Sequence, residues 1–172
     1  MSTSCVHAVP LDKTPRVRTT AQLPIHLADG REAAGVMYSF HGLSDGKEHF
    51  VLRLGAGEAE APLVRLHSEC TTGDVLGSAR CDCGPQLQES LTRLHEEGGY
   101  LLYMRQEGRG IGLYAKLDAY RLQEQGHDTY AANRALGHGD YERDYTAAAE
   151  MLKALGLTRI TLITNNPDKR AQ

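Results

Sequence analysis

The stretch Cys70-Thr-Thr-Gly-Asp-Val-Leu-Gly-Ser-Ala-Arg-Cys81-Asp-Cys83 constrains this chain more than any other, because it carries three of the four cysteines. Cys81 and Cys83 sit one residue apart, a spacing that rarely supplies the separated and opposed Cβ atoms a disulfide needs. Three thiolates converging on one point suit a soft tetrahedral cation, and zinc is the usual occupant. Structural zinc sites close with four protein ligands, whereas catalytic ones leave a position for water. Three local cysteines with no obvious fourth ligand therefore favour a catalytic metal. A structural site completed by a distant histidine, such as His67 or His138, is the competing reading.

The remaining totals narrow the class. A chain of 172 residues, 41% apolar and 24% charged, is expected to form one domain with a real core. No run approaches the length of a membrane span, and the N-terminus lacks the apolar core of a signal peptide. Cytoplasmic location is the default, and clustered cysteines there read as metal ligands rather than as a secretory disulfide framework. Cys5 stands apart in a polar stretch and is assigned no role. A formal net charge of −3 argues against a general nucleic-acid binder. A local group of arginines can still bind phosphates inside an acidic protein.

Residues 1–16 are polar, punctuated by proline and without period, and are read as a flexible arm ahead of a catalytic domain spanning 17–172. Strand-like alternation runs from Val17 to Leu27, ending at Asp29-Gly30, and again over Ala33–Phe40 and His49–Leu54. Pro62–His67 then leads into Glu69 and Cys70, so the front half reads as an antiparallel meander ending at the metal site. The period then changes. Leucines at 87, 91 and 94 mark a helix over Gln86–Glu97, closed by Gly98-Gly99. Tyr100–Met104 is an apolar strand, and Ile111–Gln125 and Tyr145–Leu155 are helical. Arg159–Thr164 is a last strand. A strand-rich half followed by alternating strands and helices predicts a mixed α/β (α+β) domain.

Outside the cysteines, the segment Arg105-Gln-Glu-Gly-Arg-Gly-Ile-Gly-Leu113 joins a strand to a helix through glycines and two arginines. Glycines permit close backbone approach, and the N–H groups that open a helix point at whatever lies there, which makes a plausible phosphate cradle. It matches neither the P-loop nor the dinucleotide fingerprint. Glycine-rich strand-to-helix turns are also common as plain structure. Arg65, Arg143 and Lys169 could join an anion site or be solvated surface charge. Glu69 could act beside the metal as acid or base, and Tyr120 could be a buried helix ring. Thr164-Asn-Asn-Pro167 is an ordinary turn, but it lies at the carboxyl end of a strand, where ligands often bind.

These clues fit one family. Arg65-Leu-His-Ser-Glu-Cys70, Thr72-Gly-Asp74 and Arg80-Cys-Asp-Cys-Gly84 resemble the zinc-site signature of GTP cyclohydrolase II. Arg105 to Leu113 and Thr164 to Pro167 are similar to that family's later motifs, in the same order. The resemblance runs from about Val17 onward and is strongest between Arg65 and Tyr120. It implies opening of the imidazole ring of GTP, with C8 released as formate and pyrophosphate split off, leaving a diaminopyrimidine nucleotide of riboflavin synthesis. It further implies zinc on Cys70, Cys81 and Cys83, whose water attacks C8, and magnesium accompanying the triphosphate. Arg65, Leu66, His67, Ser68 and Glu69 align with nucleotide contacts. So do Gln86, Glu107, Gly108, Arg109, Thr129, Thr164 and Lys169. Tyr120 matches an active-site tyrosine that completes deformylation. Arg143 matches an arginine that takes the guanylyl group, and a homodimer is the family's assembly.

One position departs. The family carries an aspartate proton acceptor two residues before that arginine, where this chain reads Asp140-Tyr141-Glu142-Arg143. Asp140 or Glu142 takes over only if the loop shifts by one residue, because successive side chains point different ways. The chain also stops soon after Lys169, where relatives continue, and a disordered or removed tail is expected. The Tyr141 departure keeps two alternatives in view. One is a paralogue that retains the formyl group or uses another purine nucleotide. The other is a zinc- and nucleotide-binding module without turnover.

Overall fold

The computed structural model describes residues 14–57, 59–137 and 143–164. The first sixteen residues were assigned to an arm, and all but the last three lie outside this range. β1 (Arg16–His26) and β2 (Glu32–His41) form a long antiparallel hairpin. Its turn closes through Leu27 N–H to Arg31 O at 2.8 Å and Arg31 N–H to Asp29 Oδ1 at 3.0 Å, with Gly30 at φ +85°. β3 (Phe50–Leu54) extends the hairpin antiparallel to β2.

There the meander ends, earlier than the sequence reading placed it. β4 (Leu63–Ser68) does not pair with β3. β5 (Gly99–Met104) lies between them, antiparallel to β3 and parallel to β4, and β6 (Thr161–Ile163) adds parallel to β4. The order is β1-β2-β3-β5-β4-β6. A parallel neighbour needs a crossover, here through α1 (Cys83–Glu97), and no local pattern in β4 announces which strand it will meet. β4 is buried along its whole length, as an interior strand with parallel partners should be.

Side chains alternate between two cores. Val51, Val64, Leu66, Leu102 and Met104 pack with Tyr145, Ala147, Ala148 and Met151, at and within α4 (Thr146–Ala154). Leu52, Leu54, Leu63 and Leu101 pack with Leu91 and Leu94 of α1 on the other face. The same alternation sends Arg65, His67 and Tyr103 to the α1 side. The remaining helices are α2 (Leu113–Glu124) and α3 (Thr129–Ala135). α3 was not expected: a short polar-to-alanine run carries too little periodic signal, and its packing on α2 supports it. Among the described residues, no helix is long and apolar enough to cross a membrane.

Candidate active site

The end of β4 feeds a wide π-type turn, Thr71–Val75, closed by Asp74 N–H to Cys70 O at 2.7 Å. This turn folds back on the start of α1, which begins at Cys83, three residues before the expected position. Two glycines make the contact possible. A Cβ on Gly73 would lie 2.8 Å from Cys81 Sγ and 3.2 Å from Cys70 Sγ, and one on Gly84 would lie 2.5 Å from Gly73 O.

The three sulfurs then sit within 4.8 Å of one another, with Cys70 and Cys81 Sγ at 3.6 Å. Burial, followed by the neighbouring sulfurs of Cys70 and Cys81, pushes the Cys83 thiol well up. Burial also works to raise Cys70, yet the Lys116 ammonium, the Thr72 hydroxyl and the Gly73 N–H outweigh it and hold that thiol low. Crowded sulfurs that resist joint ionisation are relieved by a divalent cation, so the donor set fits zinc.

His67, the candidate fourth ligand, is engaged elsewhere. Its Nε2 lies 3.0 Å from Asp74 Oδ1, and its ring stacks on Tyr103. Asp74 also accepts the Cys70 N–H at 3.0 Å and the Tyr103 hydroxyl at 2.8 Å. His138, the other candidate, lies outside the described residues.

A second group of expected contacts meets across the sheet edge. Arg65 donates to Gln86 Oε1 at 3.0 Å and to Ile163 O at 3.4 Å, while its buried Nε has no partner. Arg65, Gln86, Ile163 and Thr164 line a cavity of about 290 Å³ together with Glu89, Ser90 and Arg93. Burial lowers the Arg65 guanidinium from its ordinary value. The run from Arg65 to Glu69 is split by strand alternation: Leu66 belongs to the α4-side core, and Ser68 is buried with its hydroxyl unpartnered.

Glu69 leaves β4 and accepts from Arg105 Nε at 3.0 Å. The Arg105 backbone is itself held, its N–H reaching His49 Nδ1 at 2.8 Å while His49 Nε2 meets Asp45. Glu107 and Gly108 lie in a 3-10 turn, Glu107–Gly110, which also contains Arg109. The Glu107 carboxylate takes the Thr71 N–H at 2.6 Å, the Gly108 N–H at 2.9 Å and the Lys116 ammonium at 2.9 Å. Burial works against its charge, but the Lys116 and Thr71 hydrogen bonds hold it below the usual carboxylate range.

Tyr120 stands on α2 with the Arg80 guanidinium 4.8 Å from its ring centroid, and Arg80 continues to Glu124 at 2.6 Å. Arg143 is half-buried beside Asp144, whose carbonyl accepts from Gln106 Nε2. Thr129 opens α3. Asp140 and Lys169 lie outside the described residues, as do Tyr141 and Glu142.

Sequence reasoning passed over Lys116 and gave Asp74 no role. For Lys116 a signal existed: it precedes Tyr120 by four positions on one helix, so both occupy one face. For Asp74 the side-chain partners are His67 on β4 and Tyr103 on β5, and no spacing shows them.

Comparison with known proteins gives the family. The family model for GTP cyclohydrolase II matches residues 18–172. A Vibrio cholerae protein named GTP cyclohydrolase-2 is 61% identical over 133 residues, covering 76% of this chain and 67% of that protein. A GTP cyclohydrolase-2 of Psychromonas ingrahamii is 51% identical over 156 residues, covering 90% and 77%. The riboflavin biosynthesis protein RibBA of Bacillus cytotoxicus is 59% identical over 129 residues, 74% of this chain and 32% of that protein. The chain belongs to the GTP cyclohydrolase II family and is a hydrolase of that type.

Proposed function

We propose that this protein hydrolyses the imidazole ring of GTP, releasing C8 as formate and the terminal phosphates as pyrophosphate, in riboflavin synthesis. The observation that carries the reading is the convergence of Cys70, Cys81 and Cys83 beside the Glu107–Gly110 turn, at the ends of the same strand and helix, β4 and α1, that line the Arg65 cavity. Zinc, bound by the three sulfurs, supplies the Lewis acidity that makes water a usable nucleophile near neutral pH.

The chain's own residues divide the remaining work. Arg65, Gln86 and Thr164 hold the purine nucleotide from the cavity they line. Glu107, Gly108 and Arg109 position the triphosphate with its magnesium, joined by Thr129 and Lys169. Glu69 exchanges protons at the opening ring, and the Tyr120 hydroxyl serves the later hydrolysis of the formamide. Arg143 takes the guanylyl group, forming a P–N bond as the P–O bond to pyrophosphate breaks, and water then frees the nucleotide. Asp140 or Glu142 accepts the arginine proton in place of the aspartate that Tyr141 displaces. The working assembly is a homodimer.

Tyr141 favours a second reading, in which the enzyme retains the formyl group or takes another purine nucleotide. One assay separates the two. Metal-loaded protein with GTP and magnesium should yield formate and pyrophosphate in equal amounts, with the ultraviolet spectrum of a diaminopyrimidine. Pyrophosphate with a retained formyl group selects the second reading. Cys81→Ser should lose zinc and all ring opening, and normal turnover by that variant would overturn the metal assignment.

A further inference from the structure

We propose that Lys116 is a positioning residue of the metal site, donating a charge-assisted hydrogen bond to the Cys70 sulfur that sets how strongly this thiolate donates to the metal. The inference rests on the assignment of Cys70, Cys81 and Cys83 as ligands. Lys116 Nζ lies 3.1 Å from Cys70 Sγ, 2.9 Å from Thr72 Oγ1 and 2.9 Å from Glu107 Oε1. An ammonium has three donors, and all three are engaged.

Its side chain is only 12% exposed and that of Glu107 only 8%, so this is no solvated surface pair. Glu107 is anchored by the Thr71 and Gly108 N–H groups, one on the cysteine turn and one on the glycine turn. Space is tight as well, since a Cβ on Gly108 would lie 3.2 Å from the Lys116 Cβ. Lys116 therefore joins the two halves of the site at a sulfur, not at a carbonyl.

The chemistry follows from the donor set. Three thiolates around a divalent cation leave a net negative charge, which weakens the Lewis acid. A hydrogen bond to one sulfur draws electron density away from the metal. Removing such outer partners typically costs about 10–100-fold in activity or metal affinity.

Cobalt(II) reports this directly through its sulfur-to-metal charge-transfer band. Wild type, Lys116→Met and Lys116→Arg are each stripped of metal and titrated with cobalt(II), and kcat and KM for GTP are measured on the zinc forms. The band should move to lower energy in Lys116→Met, where the sulfur lone pair is no longer held by a proton donor. It should return towards the wild-type position in Lys116→Arg. Turnover should fall about 10–100-fold in kcat for Lys116→Met. A wild-type protein that takes up no cobalt overturns the ligand assignment. A wild type with the band and a Lys116→Met protein with the same band at the same energy overturns the role of Lys116 alone. Should Lys116→Met fail to fold by circular dichroism, Lys116→Leu, which likewise offers no donor, is read in its place, and an unshifted band there is equally fatal.

Discussion

The Asp74 carboxylate, 3% exposed, receives the Cys70 N–H, the Tyr103 hydroxyl and His67 Nε2, all within 3.1 Å. Burial alone would raise its pKa. The His67 hydrogen bond and charge, then the Tyr103 and Cys70 bonds, hold it below the ordinary carboxylate value. A depressed folded-state pKa contributes stability that is present above the unfolded value, about 4, and is lost as pH falls through the folded one. Asp74→Asn should therefore flatten the loss of stability on acidification below about pH 4. It should also cost about 3 kcal/mol at neutral pH, measured by urea unfolding. A variant that unfolds in acid as wild type does would show that Asp74 is not the group responsible. The residue was legible as part of Thr72-Gly-Asp74, but its partners on β4 and β5 were not.

Among the elements, the π-type turn Thr71–Val75 does most to shape the site, and Gly73 is where it touches all three cysteines. Gly73→Ala places a methyl 2.8 Å from Cys81 Sγ and 3.0 Å from Cys83 Cβ, and should splay the sulfurs. We expect it to cost about 2 kcal/mol and to weaken zinc binding at least about tenfold in chelator competition. Gly77→Ala is the control. Its φ is +63° with nothing within 4 Å, so it should cost about 1 kcal/mol through backbone strain and leave metal affinity unchanged. Equal metal affinity in both variants would mean that the turn does not set the sulfur geometry. Helix α1 was readable because Leu87, Leu91 and Leu94 share one face and Gly98 ends it at φ +78°. The turn was not, since nothing local distinguishes a five-residue π-type turn from loop.

Across the whole molecule, the sheet carries a core on each face, and the three cysteines that could hold a metal join the end of β4 to the start of α1. A cation bound there ties strand to helix only in the folded state, so mass action should stabilise the fold. Stripping zinc should lower Tm by roughly 5–10 °C if the ion is present at about a hundred times its Kd. Wild type should show this drop in a thermal scan, and Cys81→Ser should show none. Identical sensitivity to chelator in both proteins would place the effect elsewhere.

The amino-acid sequence by itself determined the donor set, the mixed α/β class and most strand and helix positions. Those features depend on residue type and on short periods: sulfur chemistry for Cys70, Cys81 and Cys83, alternation in β1 to β3, and leucine spacing in α1. The tertiary structure alone decided that β5 separates β3 from β4, that Arg65 and His67 share the α1 face while Leu66 turns into the core, and that Lys116 reaches the Cys70 sulfur. Each of these is a contact between segments far apart in the chain. Such contacts are set by which surfaces can be buried together, and a local pattern carries no record of the partner.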